Sequence, residues 1–142
     1  MKSRYLYAAL FLLILSACKP SIVKEVVQAY PDGSPKIVRF FKEADRNKTL
    51  VKEILYHPNH QKYMEGEYKN NKRDGLWTSW YQNGNKWSEG TFKEGLDDGY
   101  RYIFHENGKK QIEGNYKDGK KVGVWKFYDD KGTFIKEENF SQ

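Results

Sequence analysis

The sequence predicts an all-β protein: an elongated, twisted antiparallel sheet of about ten strands, made by stacking β-hairpins with a repeat of 24 residues. Three observations carry that expectation. Glycines recur in register: Gly66, Gly90 and Gly114 are 24 residues apart, as are Gly75, Gly99 and Gly123, and Gly84, Gly108 and Gly132. Other columns keep the same step, with Tyr56, Trp80, Phe104 and Tyr128 in one, Tyr68, Phe92, Tyr116 and Phe140 in a second, and Glu65, Glu89, Glu113 and Glu137 in a third. Asn-Gly and Asp-Gly dipeptides punctuate runs of about eight residues rich in Trp, Tyr, Phe, Ile and Thr, and no segment sustains a helical period. Self-similarity at one fixed step marks a repeat architecture.

Residues 1–17 have the layout of an export signal: a short basic start with Lys2 and Arg4, an apolar run from Tyr5 to Leu15, then Ser16 and Ala17. The apolar run is shorter than the roughly 20 residues that a membrane-spanning helix needs. Leu15-Ser16-Ala17-Cys18 resembles the lipobox of bacterial lipoproteins. That resemblance implies cleavage between Ala17 and Cys18, a diacylglyceryl thioether on Cys18 and an acylated amino group. Each buried acyl CH₂ adds about 0.8 kcal/mol, so more than one chain anchors stably. The expected location is the bacterial cell envelope, lipid-anchored. Lys19 after the cysteine favours the outer over the inner membrane by analogy with enteric bacteria. Removing 17 of 142 residues leaves 125, and losing Lys2 and Arg4 takes the formal charge from +6 to +4. Cys18 is the sole cysteine, so no thiol remains for a disulfide, a metal site or a nucleophile.

Residues 18–21 then read as the lipidated cysteine and a short tether, and residues 22–142 as the repeat domain. Its first unit, 22–49, is degenerate: Tyr30-Pro31-Asp32-Gly33 aligns with Tyr81-Gln82-Asn83-Gly84 at an offset of 51, with three extra residues around Glu43 to Lys48. The clearer units occupy 50–142. Strands are expected to begin near Ile22, Lys36, Leu50, Gln61, Gly75, Asn85, Gly99, Lys109, Gly123 and Thr133. Asp32-Gly33, Asn83-Gly84 and Asn107-Gly108 suit two-residue type I′ turns, whose central positions need positive φ. The stretches Asn70–Asp74, Glu94–Asp98 and Asp118–Val122 read as longer polar loops.

A two-residue turn at Asn83-Gly84 sets Trp77 opposite Gly90 and Trp80 opposite Trp87, and in the next unit Arg101 opposite Gly114. A flat side chain laid over a strand glycine shields backbone from water. Gly66, Gly75, Trp77, Gly84, Gly90, Gly99, Gly108, Gly114, Gly123, Trp125 and Gly132 are therefore expected to be structural. Strand alternation puts Trp77, Ser79 and Tyr81 on one face and Thr78 and Trp80 on the other. Trp80 and Trp87 together, on the face opposite the Trp77–Gly90 pair, form the candidate binding surface, because rigid aromatics dominate binding energetics.

The segment YMEGEYKNNKRDGLWTSWYQNGNKWSEGTFKEG, Tyr63 to Gly95, resembles the MORN repeat with its Y-x-G-x-[YF]-x-[ND]-G-x-x-x-G pattern. The stretch Gly75 to Gly84, echoed by Gly123, Trp125 and Tyr128, is similar to the bacterial variant found in the YwqK family of toxin-antitoxin antitoxins. Departures are Asn71 at an expected loop glycine, Arg101 in the Trp77/Trp125 column and His60 at a turn. The resemblance implies an elongated sheet of stacked hairpins serving as a scaffold for a protein or lipid-headgroup partner. Neutralisation of a toxin by direct binding is the alternative.

Residues that could carry chemistry are sparse. His57 and His60 flank an expected turn, and His105 shares a column with Tyr81 and Asp129, a variation that argues against a repeated role. No ligand set for a metal accompanies them. The four column glutamates should project from one face about 10 Å apart. Beside Lys93 and Lys117 they read as structural cross-strand pairing. A P-loop, a nucleotide-binding glycine fingerprint and a G-x-S-x-G elbow are absent. The reading is a non-enzymatic chain with no catalytic residues, no cofactor and no nucleic-acid partner. Its oligomeric state stays open.

Overall fold

Runs of aromatic and β-branched residues fit a pleated, half-buried surface, and short turns between them bring each run beside the next. The computed structural model describes residues 21–44 and 47–140. Ala17, Cys18 and the first part of the tether lie outside them. The strands are β1 (Ser21–Ala29), β2 (Pro35–Ala44), β3 (Asn47–Tyr56), β4 (Lys62–Lys69), β5 (Lys72–Trp80), β6 (Lys86–Lys93), β7 (Leu96–Phe104), β8 (Lys110–Lys117), β9 (Lys120–Tyr128) and β10 (Phe134–Phe140). They form one open sheet in sequence order, with every neighbouring pair antiparallel. No helix occurs among the described residues. Stacked hairpins of 24 residues are what the sequence predicts.

The two kinds of turn are exchanged relative to the sequence reading. Asn70-Asn71, Glu94-Gly95 and Asp118-Gly119 are the two-residue type I′ turns: both central residues have positive φ, as with Asp118 at 49° and Gly119 at 78°, and the flanking pairs are Lys69/Lys72, Lys93/Leu96 and Lys117/Lys120. The expected long loops are therefore mostly strand. At the opposite edge, Asn83 keeps a negative φ and only Gly84, at 85°, is left-handed. Gly84 N donates to Tyr81 O at 3.0 Å and Tyr81 N to Asn85 O at 2.8 Å, which closes a three-residue loop. A type I turn followed by one left-handed residue is the next most common hairpin connection, and its asparagine is chosen for its side chain.

That longer loop shifts the register, and a bulge beside it shifts it back. Trp80 pairs with Lys86 and Ser79 with Ser88, so Trp87 is the unpaired residue. Tyr63 and Gln111 hold the same place in β4 and β8, as do Lys36 and Ile135 in β2 and β10. The expected Trp80–Trp87 pair is thus not formed, whereas Trp77 does face Gly90 and Arg101 does face Gly114.

Trp77 and Trp125 are 3% and 2% exposed in a sheet one layer thick. Their burial comes from neighbours on the same face. Trp77 takes Tyr68 and Phe92 edge-to-face, at 5.3 and 6.1 Å between centroids, and Trp125 takes Tyr116 and Phe140 at 5.0 and 6.2 Å. Arg73 and Lys121 cap the two indoles at 4.0 and 4.5 Å, a favourable cation–π placement. The glycine beneath Trp77 is Gly66 rather than the expected Gly90. A Cβ on Gly66 would lie 2.1 Å from Trp77, and one on Gly114 2.2 Å from Trp125, while Gly90 is covered by the Arg101 guanidinium. Each side chain leans onto the preceding strand. In the first unit the same row holds the Arg39–Glu53 ion pair at 2.7 Å, where later units hold glycine and tryptophan.

Candidate functional site

The bulge decides where the two candidate tryptophans stand. Trp80 shares its face with Thr78 and Leu76; it lines a groove with Lys52 and Glu65, and the Lys62 ammonium lies 5.8 Å from its ring centre. Trp87 is 38% exposed and packs against Tyr81 at 6.2 Å and Tyr63 at 6.4 Å. Tyr81 belongs to the Trp77 face by alternation. Trp80 and Trp87 therefore occupy opposite faces, and the single surface expected of them is corrected to two. One extra residue in β6 turns the Trp87 side chain over.

On the Trp80 face the glutamate column forms a ladder. Glu65 is held by Lys52 and Lys62, Glu89 by Lys86 at 2.5 Å, and Glu113 by Lys110 at 2.6 Å. The repeated partner is the lysine three residues earlier, across the bulge, joined at Glu65 by Lys52 of β3, rather than the anticipated Lys93 and Lys117; Lys117 pairs with Asp98 at 3.0 Å. Tyr128 OH donates to Glu113 at 2.6 Å. The bonds from Lys110 and Tyr128 hold the Glu113 carboxyl below its ordinary range. Burial pushes Glu65 up, but its two lysine partners outweigh that and the net shift is also down. A general acid needs the opposite shift, so these two carboxylates are built as ion-pair acceptors. Among the described residues no group of three His, Cys, Asp or Glu side chains is arranged to hold a metal ion.

The loop edge carries a repeated role that sequence reasoning missed. His57 Nε2 lies 2.8 Å from Trp80 O, Tyr81 OH donates to Phe104 O at 2.8 Å, and His105 Nε2 lies 3.0 Å from Tyr128 O. Tyr30 OH does the same to Tyr56 O at 2.7 Å. The variation in the column of Tyr81, His105 and Asp129, which argues from sequence against a repeated role, is thus corrected for Tyr81 and His105. Tyrosine and histidine are interchangeable there because each carries a polar tip on a flat ring. The turn asparagines work beside them: Asn59, Asn83 and Asn107 donate through Nδ2 to Gln82 O, Glu106 O and Asp130 O. Their Oδ1 atoms accept an amide of their own turn, from Gln61, Asn85 and Lys109. An amide side chain does both from separate atoms, whereas a carboxylate of the same length has no donor. His60 bonds instead to Asp32 at 3.2 Å, and Asp32, drawn down to about 2 mainly by the Ser34 hydroxyl and amide, stays ionised.

Among the described residues the arrangement offers two solvent-facing surfaces with repeated features. On the ladder face, the groove at Glu65, Gly66, Leu76 and Thr78 returns 48 residues later at Glu113, Gly114, Val124 and Lys126. Compared with known families, residues 73–94 and 97–118 each match the family model of the MORN repeat variant. These segments run from β5 through its loop into β6 and its turn, and from β7 through its loop to β8 and its turn. No curated protein matches the chain. These two matched units lie inside a continuous array of like hairpins, so over β5 to β8 the chain is similar to the MORN repeat variant.

Proposed function

We propose that the chain is a non-enzymatic binding scaffold, held in the bacterial envelope, most simply the outer membrane, by lipidated Cys18. The observation that carries the scaffold reading is the recurrence of one groove on the ladder face. Repeat proteins bind by presenting such extended surfaces. A partner spanning two grooves would meet the same chemistry twice: an apolar patch at Leu76 or Val124 beside an ion-paired glutamate. Its class is a protein or a lipid headgroup layer. The anchor rests on the sequence Leu15-Ser16-Ala17-Cys18. Ser21 opens β1 opposite Glu43, at the edge of the type I′ turns, so a tether from Cys18 joins the sheet at that edge.

Crosslinking in intact cells producing the wild-type chain or Cys18→Ala, followed by mass spectrometry of the captured proteins, tests both parts. An envelope component captured by the wild type and lost with Cys18→Ala is the expected result. A cytosolic toxin captured equally by both forms would replace this reading with the antitoxin one.

A further inference from the structure

The bulge position that holds Tyr63 and Trp87 in the second and third units holds Lys36 in the first. Trp87 there lies between two rings, Tyr81 of its own hairpin and Tyr63 of the hairpin before, and is nearly parallel to Tyr63 at 17°. Tyr63 in turn lies between His57 of its own hairpin, at 4.9 Å, and Trp87 of the hairpin that follows, at 6.4 Å. The matching space in the first unit lies between Tyr30 and Tyr63, and no ring fills it. It is a cavity of about 250 Å³ floored by Ile37 and Leu55, walled by Tyr30, His57 and Tyr63, and edged by Lys36. The Lys36 ammonium sits 5.7 Å from the Tyr30 ring centre.

We propose that this cavity receives one aromatic side chain, tryptophan or tyrosine, of a protein partner. It adds a second contact, on the face opposite the glutamate ladder, and rests on the scaffold reading. Three features support the assignment. The repeat itself shows which shape the position accepts, since the equivalent spot two units on is filled by an indole. The volume lies below the roughly 300–1,000 Å³ of sites for drug-sized ligands, so it has room for one ring. The walls are fixed before anything binds, with Tyr30 OH on Tyr56 O at 2.7 Å and His57 Nε2 on Trp80 O at 2.8 Å. Fixed walls reduce the ordering cost of association. Lys36 on its flexible stem can swing aside and remain over the incoming ring, where a cation is favourable.

The probe is N-acetyltryptophanamide, titrated into the full-length chain while the side-chain NMR signals of Tyr30, His57 and Tyr63 are followed. Saturable shifts of those three rings in the millimolar range are expected. Lys36→Trp, which supplies the missing ring from within, should weaken probe binding at least tenfold and leave the Tm as high as wild type or higher. Tyr63→Leu should also weaken binding by about tenfold with the fold intact by circular dichroism, while Lys131→Trp on a distant exposed turn should change nothing. Absence of saturable shifts, undiminished binding by either pocket variant, or a lowered Tm for Lys36→Trp would each overturn the proposal. The titration needs neither anchor nor partner, so its failure is distinct from failure of the crosslinking experiment.

Discussion

Replacing Gly66 by alanine puts a methyl group 2.1 Å from the Trp77 indole, which is 3% exposed and hydrogen-bonded through Nε1 to Glu67 O at 3.1 Å. Gly66 has no left-handed φ, so alanine meets no backbone objection and the effect isolates the clash. Overpacking of this kind costs about 1–3 kcal/mol, and expelling the ring altogether approaches the roughly 3–5 kcal/mol of a large aromatic deletion. We expect about 3 kcal/mol for Gly66→Ala, and the same for Gly114→Ala, whose added Cβ would meet Trp125 at 2.2 Å. At Gly90 the nearest atoms are the end of the Arg101 side chain at 2.8 and 2.9 Å and Tyr100 O at 3.0 Å. A flexible guanidinium gives way, so Gly90→Ala should cost about 1 kcal/mol. Urea unfolding followed by tryptophan fluorescence and far-ultraviolet circular dichroism ranks the three, compared by midpoint because repeat arrays need not unfold in one step. A Gly90→Ala chain as unstable as Gly66→Ala would refute the assignment of each ring to the preceding strand.

His105→Tyr should leave the urea midpoint near wild type, since Tyr81 makes the equivalent bond to Phe104 O, whereas His105→Phe should cost about 1 kcal/mol. Asn107→Asp keeps the acceptor for the Lys109 amide but loses the donor to Asp130 O, for an expected loss of about 1 kcal/mol in the same assay. Lys110 and Tyr128 hold Glu113 below its ordinary 4.5, so its contribution to stability is complete above that value and is lost as pH falls through the lowered folded one. Between about pH 6 and pH 3 the wild-type midpoint should therefore fall more steeply than that of Glu113→Gln; parallel curves would show that the pair contributes nothing.

Much of this architecture is written in single columns. The glycines at Gly84, Gly108 and Gly132 mark one edge because each must adopt a left-handed φ. Trp77, Arg101 and Trp125 mark one row because they repeat every 24 residues. What stayed hidden is what depends on two columns at once. Asn83-Gly84 has the composition of a type I′ turn, yet its asparagine is used to reach Glu106 O of the next hairpin, a partner 23 residues away. The same holds for His57, Tyr81 and His105, whose shared feature is the polar tip and not the residue type.

The sequence by itself determined the period, the all-β class and the strand number, because each of these follows from a local requirement repeated in every unit. Tertiary structure alone decided on which face Trp87 stands, which glycine lies beneath Trp77, and where the first unit leaves an unfilled ring position. The reason is geometric. Side chains alternate with a period of two along a strand, so one unpaired residue at a bulge reverses a face. The direction in which a ring leans is then set by strands on both sides, which no column of one strand records.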